Sequence, residues 1–310
     1  MSEAVISARG LRKSYDGLEA VRGIDLEVAR GEIFAFVGPN GAGKTTTVEI
    51  LEGYRRRSGG DAAVLGIDPA SARREWRERV GIVLQQCRMQ RELTVRETVE
   101  LYAGYYRRSR PVDETIELVG LTEKADARAG KLSGGQQRRL DVALALIGDP
   151  ELVFLDEPTT GFDPTARRQA WAMIASLREL GKTVFLTTHY MEEAQELADR
   201  AAIIVRGQIV AEGPPDELGG REGDASEVTF RLPDGVAVDE LPPGATGAAR
   251  KANGVVALST DRPVEVLHEL TGWALARGVA LGSLEVRRPS LEDVYLELTA
   301  EPAPEDRGEG

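Results

Sequence analysis

Gly38-Pro39-Asn40-Gly41-Ala42-Gly43-Lys44-Thr45 satisfies G-x-x-x-x-G-K-[ST], a spacing whose residue types suit the holding of a polyphosphate. Glycine lets backbone N–H groups converge on phosphate oxygens, so Gly38, Gly41 and Gly43 leave room where side chains would intrude, with Asn40 between them. Lys44 brings a positive charge to the β- and γ-phosphates, and the Thr45 hydroxyl can ligate Mg²⁺. Thr46 follows in the same first turn of a helix, whose N-terminal field also favours an anion.

Two further groups extend binding to hydrolysis. Leu152-Val153-Phe154-Leu155 reads as a buried strand leading into Asp156-Glu157. Asp156 at the strand end can hold Mg²⁺, and Glu157 can polarise a water for attack on the γ-phosphate. Ser133 is placed to cap a helix from Gly134 to Ile147, and two glycines there carry a cost in helix propensity that a plain cap does not explain. With Gly135 and Gln136 they form a second helix end fit for phosphate.

These residues need an α/β scaffold. Residues 32–37 read as a strand ending at Gly38, followed by a helix from about Lys44 to Tyr54; residues 183–187 form another strand, ending near His189. A helix-rich insertion spans roughly 90–147, and residues 201–205 and 208–210 form a closing hairpin. The expected domains are 1–215, a Gly-rich linker at 216–224, a small α+β domain at 225–299 and a disordered acidic tail at 300–310.

The run Leu132-Ser133-Gly134-Gly135-Gln136, taken with the P-loop, resembles the signature of the ABC ATPase family. That resemblance implies a RecA-like core, an antiparallel β subdomain and a helical signature subdomain. It also implies roles for residues that spacing alone does not reveal: Tyr15 stacking on adenine, Gln85 sensing Mg²⁺ and touching a membrane partner, His189 on the γ-phosphate, and Asp163 reaching across a dimer. The family more often has Leu where Phe162 stands, an apolar exchange. Pro289-Ser290-Leu291-Glu292-Asp293-Val294-Tyr295-Leu296-Glu297-Leu298-Thr299 closely resembles a box that ends ATPases of ABC-2 exporters, including the daunorubicin-resistance type.

Composition sets the outer limits. The 310 residues include 39 basic and 51 acidic side chains, for a net charge of −12, which disfavours a nucleic-acid partner. No apolar run approaches the ~20 residues a membrane helix needs, and the N-terminus lacks a signal-peptide pattern. A lone Cys87 and two histidines make no zinc site, and Cys87 receives no role. The expectation is an Mg²⁺-dependent ATPase at the cytoplasmic face of the membrane. It would pair head to tail with a second copy and drive separate transmembrane permease subunits. The alternative is a soluble ABC ATPase serving cofactor assembly or regulation.

Overall fold

The computed structural model describes residues 4–84, 90–218, 226–233, 235–251 and 254–287. The chain forms two compact units, Met1–Pro215 and Asp216–Gly310.

The first unit opens with β1 (Ala4–Tyr15) and β2 (Leu18–Ala29), an antiparallel pair joined across Asp16-Gly17. Both turn residues have positive φ (44° and 90°), as a two-residue hairpin of this hand requires. Buried β3 (Ile33–Val37) feeds the glycine loop and α1 (Lys44–Leu51). This helix stops short of the expected Tyr54 because Gly53 turns into the left-handed region (φ 78°), where the helix cannot continue. β4 (Gly59–Val64) returns to β1 and completes a three-stranded antiparallel sheet.

α2 (Arg74–Arg77) precedes β5 (Val80–Val83). The helical insertion then supplies α3 (Val95–Ala103), α4 (Val112–Leu118) and α5 (Gly134–Leu146). The chain re-enters the core through β6 (Leu152–Asp156), α6 (Pro164–Glu179), β7 (Thr183–Thr188) and α7 (Met191–Leu197). It finishes on the hairpin β8 (Arg200–Val205) and β9 (Gln208–Gly213).

The core sheet runs β5-β6-β7-β3-β8-β9, parallel except for β9. Its central strands β3 and β7 are buried along their whole length because helices cover both faces of such a sheet. Phe34, Phe36 and Phe154 each set a ring 5.6–5.8 Å from that of Phe185, which ties β3, β6 and β7 together. Register is the point that matters for chemistry. Val37 pairs with Thr188 and Asp156 with Thr187, so three parallel strands end level with one another. Ligands in open α/β sheets gather at that carboxyl edge.

The short α8 (Pro215–Leu218) spans the boundary between units. The second unit is an antiparallel sheet of β10 (Ser226–Arg231), β11 (Ala249–Arg250), β12 (Val255–Thr260) and β13 (Gly282–Arg287), ordered β11-β12-β10-β13. Between β12 and β13 lies α9 (Pro263–Arg277), whose Val266 and Leu270 join Val228, Phe230, Val256 and Leu258 in one apolar cluster. The C-terminal box at 289–299 and the tail at 300–310 lie outside the described residues.

Candidate functional site

The loop between β3 and α1 is shaped by close approach. A β-carbon on Gly38 would collide with the Ile204 carbonyl, and one on Gly43 (φ 105°) would stand 2.5 Å from the Ala20 carbonyl oxygen. Gly41 (φ 80°) faces open space, so its requirement is conformational alone. Asn40 lies in the turn before Gly41, and Thr45 and Thr46 occupy the first turn of α1, Thr45 exposed and Thr46 half-buried.

Lys44 folds back under the loop. Its Nζ donates to the carbonyls of Gly38 at 2.7 Å and Pro39 at 3.1 Å and lies 3.8 Å from Glu157 Oε1. Burial lowers its pKa from the ordinary lysine value, and the carboxylates of Glu157 and Asp156 partly offset this.

Glu157 follows the last residue of β6 and adopts a left-handed φ of 46°, which swings its side chain away from the direction taken by Asp156. Its N–H donates to Thr187, backbone and hydroxyl both 3.1 Å away, and Thr160 donates to its Oε2 at 3.1 Å. Oε1 stands 3.3 Å from His189 Nδ1, in close contact but without the alignment of a hydrogen bond. His189 leaves the end of β7 with its ring tilted against that of Tyr190, centres 4.0 Å apart, and Arg167 covers the Tyr190 ring from 4.6 Å. Lys44, Glu157 and His189 thus converge, although they come from three separate segments.

In the sheet order β7 lies between β6 and the P-loop strand β3, so Thr187 is the bridge. Its hydroxyl donates to Asp156 Oδ1 at 2.5 Å and orients the carboxylate. Among the described residues no three His, Cys, Asp or Glu side chains surround one point. The Thr45 hydroxyl and the Asp156 carboxylate are nonetheless hard oxygen donors of the kind Mg²⁺ takes one or two at a time, with phosphate oxygens and waters completing the shell. The residues therefore fit Mg²⁺ held largely by a nucleotide.

Ser133, Gly135 and Gln136 gather elsewhere. Ser133 and Gln136 form a capping box at the start of α5, each side chain accepting from the other's N–H (3.3 and 3.0 Å). With Glu157, Gly161 and Asp163 they line an open cleft of about 900 Å³, which Lys44 and Thr45 do not line. Asp163 caps α6, accepting from Thr165 and Ala166 at 2.9 Å. Tyr15 ends β1, with Lys13 Nζ 4.9 Å and the Arg55 guanidinium 5.2 Å from its ring centre. Gln85 lies outside the described residues, as does Cys87.

Sequence reasoning missed Thr187 and Arg138. Arg138, buried on α5, donates to the backbone carbonyls of Leu84, Asp156 (2.6 Å) and Pro158 (3.3 Å), which clamps the chain on both sides of Glu157. Its signal was weak in sequence, because α5 also carries Gln136, Gln137, Arg139 and Asp141. Glu193 was missed too: fully buried, it accepts from Thr159 (2.7 Å) and Trp171 (3.1 Å), and burial raises its pKa.

Comparison with known proteins agrees with this geometry. A family model for ABC transporters matches residues 21–160, and one for the C-terminal domain of ABC transporter domain-containing protein-like chains matches 226–290. The daunorubicin resistance ATP-binding protein DrrA2 of Streptomyces coeruleorubidus is 39% identical over 96% of both chains. Nod factor export ATP-binding protein I of Burkholderia pseudomallei (strain 1710b) is 39% identical over 96% of this chain and 98% of its own. Among solved structures, CbiO1 of Clostridium perfringens aligns with a TM-score of 0.64 at 26% identity, covering 71% of this chain and 92% of that one. A dimeric ATP-binding cassette in a post-hydrolysis state with ADP and phosphate aligns at 0.60 and 25% identity, covering 67% of this chain and 98% of that one. Among the described residues, no helix is long and apolar enough to cross a membrane. With relatives of that identity along nearly its whole length, this chain belongs to the ABC transporter family, among its ATP-binding, ATP-hydrolysing members.

Proposed function

We propose that this chain is the ATPase subunit of an ABC-2-type exporter, bound to the cytoplasmic side of separate transmembrane subunits and working with Mg²⁺ as a head-to-tail pair. The observation that carries the reading is the convergence of Lys44, Glu157 and His189 at the carboxyl edge of the sheet, while Ser133 and Gly135 line an open cleft that Glu157 borders and Lys44 and Thr45 do not. Full-length relatives named for daunorubicin resistance and Nod factor export support the direction of transport.

In this reading the glycine loop and Lys44 hold the β- and γ-phosphates, and Thr45 and Asp156 hold Mg²⁺, with Gln85 completing its surroundings. The metal neutralises developing negative charge when bound. Glu157 accepts the proton of the attacking water, and His189 holds both Glu157 and the γ-phosphate in line. Tyr15 stacks on adenine. Ser133, Gly135, Gln136 and Asp163 serve the nucleotide held by the opposite copy, so ATP joins the pair and hydrolysis releases it.

The test is co-purification with a candidate transmembrane subunit, followed by ATPase assay of the reconstituted pair. Turnover that candidate cargo stimulates supports export. Recovery of a soluble assembly instead would favour the non-transport alternative.

A further inference from the structure

The loop that follows Glu157 hangs from a side chain that the hydrolytic roles above do not use. Glu193 lies on α7, a turn beyond His189, and is completely buried. Its Oε1 accepts from two donors on different elements. One is the hydroxyl of Thr159, in the loop between β6 and α6, at 2.7 Å; the other is the indole N–H of Trp171, on α6, at 3.1 Å. The hydroxyl of Thr188, at the end of β7, is a further polar neighbour. One carboxyl thus joins the loop after β6, the helix that the loop enters, and the strand that delivers His189.

These segments carry residues with separate tasks. Thr159 is itself fully buried, and its carbonyl accepts from the Phe162 N–H at 3.1 Å, which turns the chain towards Asp163 at the start of α6. Thr160 beside it donates to Glu157 Oε2. Thr188 immediately precedes His189, and its hydroxyl accepts from the Tyr190 N–H at 2.9 Å, so the histidine is bracketed on both sides. A seam outside the carboxyl reinforces the joint: Arg167 on α6 covers the Tyr190 ring and lies 3.6 Å from Glu192. A fully buried carboxyl is costly where an aliphatic side chain would serve for packing alone. Burial raises its pKa, an effect that its hydrogen-bond donors and Arg167 partly offset, so the neutral acid is favoured. What the group supplies that a Leu cannot is an acceptor shared by two elements, and hydrogen bonds fix direction as well as distance.

We propose that Glu193 is a positioning residue for hydrolysis, a strut that holds the loop carrying Asp163 in fixed relation to His189. The part of the site offered to the second copy and the part facing this copy's γ-phosphate then move as one. The inference rests on the roles proposed above for Asp163 and His189. Glu193 lies outside the lining of the open cleft and acts through Thr159 and Thr188. A strut of this kind matters because a displacement of roughly 1 Å at reacting groups costs on the order of a hundredfold in rate.

The full-length protein is assayed for MgATP turnover across a range of ATP concentrations, with melting temperature measured in parallel. Glu193→Leu keeps much of the volume and removes the acceptor, whereas Glu193→Gln keeps a neutral acceptor. Thr159→Val and Thr159→Ser make the matching pair of changes at the other end of the bond. The Leu and Val variants should lose about tenfold to a hundredfold in kcat with the KM for ATP within about twofold, and the Gln and Ser variants should stay within about threefold of the parent. The Glu193→Leu/Thr159→Val double variant should be no slower than the slower single one, because both remove the same link. Parental kcat in Thr159→Val, multiplied losses in the double variant, or a loss confined to melting temperature each overturn the strut. Should Glu193→Leu fail to fold, the two Thr159 variants decide alone. His189→Ala is run beside them. Turnover lost there but kept in Thr159→Val overturns the strut and leaves the site roles standing; turnover kept in His189→Ala overturns the roles on which the strut rests.

Discussion

The Oε1 atom of Glu157 lies 3.3 Å from His189 Nδ1, although the two residues follow different strands and are joined by no aligned hydrogen bond. The same oxygen lies 3.8 Å from Lys44 Nζ, so one carboxylate is shared by a cation and an imidazole. The backbone makes this possible: the left-handed φ of Glu157 separates its side chain from that of Asp156, and neighbouring acids can then face different tasks.

Glu157→Gln should keep ATP binding and abolish turnover. The amide is isosteric and keeps an acceptor for Thr160, but it cannot take a proton. A loss of general-base catalysis on the order of 10²–10⁴-fold in phosphate release is expected, together with a longer-lived ATP-bound dimer. Steady-state phosphate assays and size-exclusion chromatography with ATP report the two effects, and near-normal release would remove Glu157 from the base role.

ATP affinity should fall on the alkaline side, earlier than an ordinary lysine would cause. Burial depresses Lys44, and phosphate binding needs the ammonium form, so binding is lost as pH rises through that lowered value. For stability the sign is opposite. Between the depressed folded value and the unfolded 10.5 the unfolded chain holds more protons, so the Lys44 contribution improves as pH rises through that window. In Lys44→Arg the guanidinium stays charged, and a nucleotide titration from neutral to alkaline pH should lose the Lys44-dependent decline.

The glycine loop should discriminate between two similar substitutions. Gly43→Ala meets both a φ of 105° and the Ala20 carbonyl oxygen at 2.5 Å, whereas Gly41→Ala meets only a φ of 80° with free space around it. Gly41→Ala is expected to cost about 1–2 kcal/mol and keep measurable ATP binding. Gly43→Ala must displace backbone and should lose binding outright. Thermal melts with and without MgATP compare them, and equal effects would contradict the packing described.

What was legible in the sequence is what local pattern encodes. The strands at 33–37, 152–156 and 183–188 are built around the apolar runs 33–37, 152–155 and 184–186, and each delivers its chemistry at the last residue or just beyond. The first hairpin was harder to see. Register shifts break its alternation, and Gly10 and Gly23 both adopt positive φ within 12-residue strands. Thr187 and Arg138 act through contacts 18 to 54 residues away in sequence, and no spacing rule reports those. Nor does sequence order give sheet order, which is why Asp156 reaches the P-loop strand only across β7.

Glu52 makes the protein pH-sensitive in a definite direction. Burial pushes its folded pKa up to about 8, above the ordinary carboxyl value of 4.5, so its stabilising effect is complete below 4.5 and is lost as pH rises towards 8. At about 1.4 kcal/mol per unit the loss is on the order of a few kcal/mol. Glu52→Gln should flatten that part of the decline in melting temperature and melt higher than the parent at pH 8. Parallel slopes in the two proteins would show that Glu52 does not titrate in this window.

The paired arrangement has its most direct test in complementation. If each ATP is held by Lys44 of one copy and Ser133 of the other, disabling either residue in both copies kills both sites. Ser133→Asp suits this purpose because Asp remains a good N-cap, so α5 keeps its start while a negative charge faces the phosphate. Lys44→Ala is the second variant. In a mixed dimer one site receives both lesions, and the other receives intact Lys44 from the Ser133→Asp chain and intact Ser133 from the Lys44→Ala chain. Random mixing makes about half the dimers mixed, each with one working site, so independent sites would recover about a quarter of normal turnover from two inactive preparations. If a single chain could supply both residues to one nucleotide, mixing would restore nothing, and the head-to-tail assignment would fall while the chemistry at Glu157 stood.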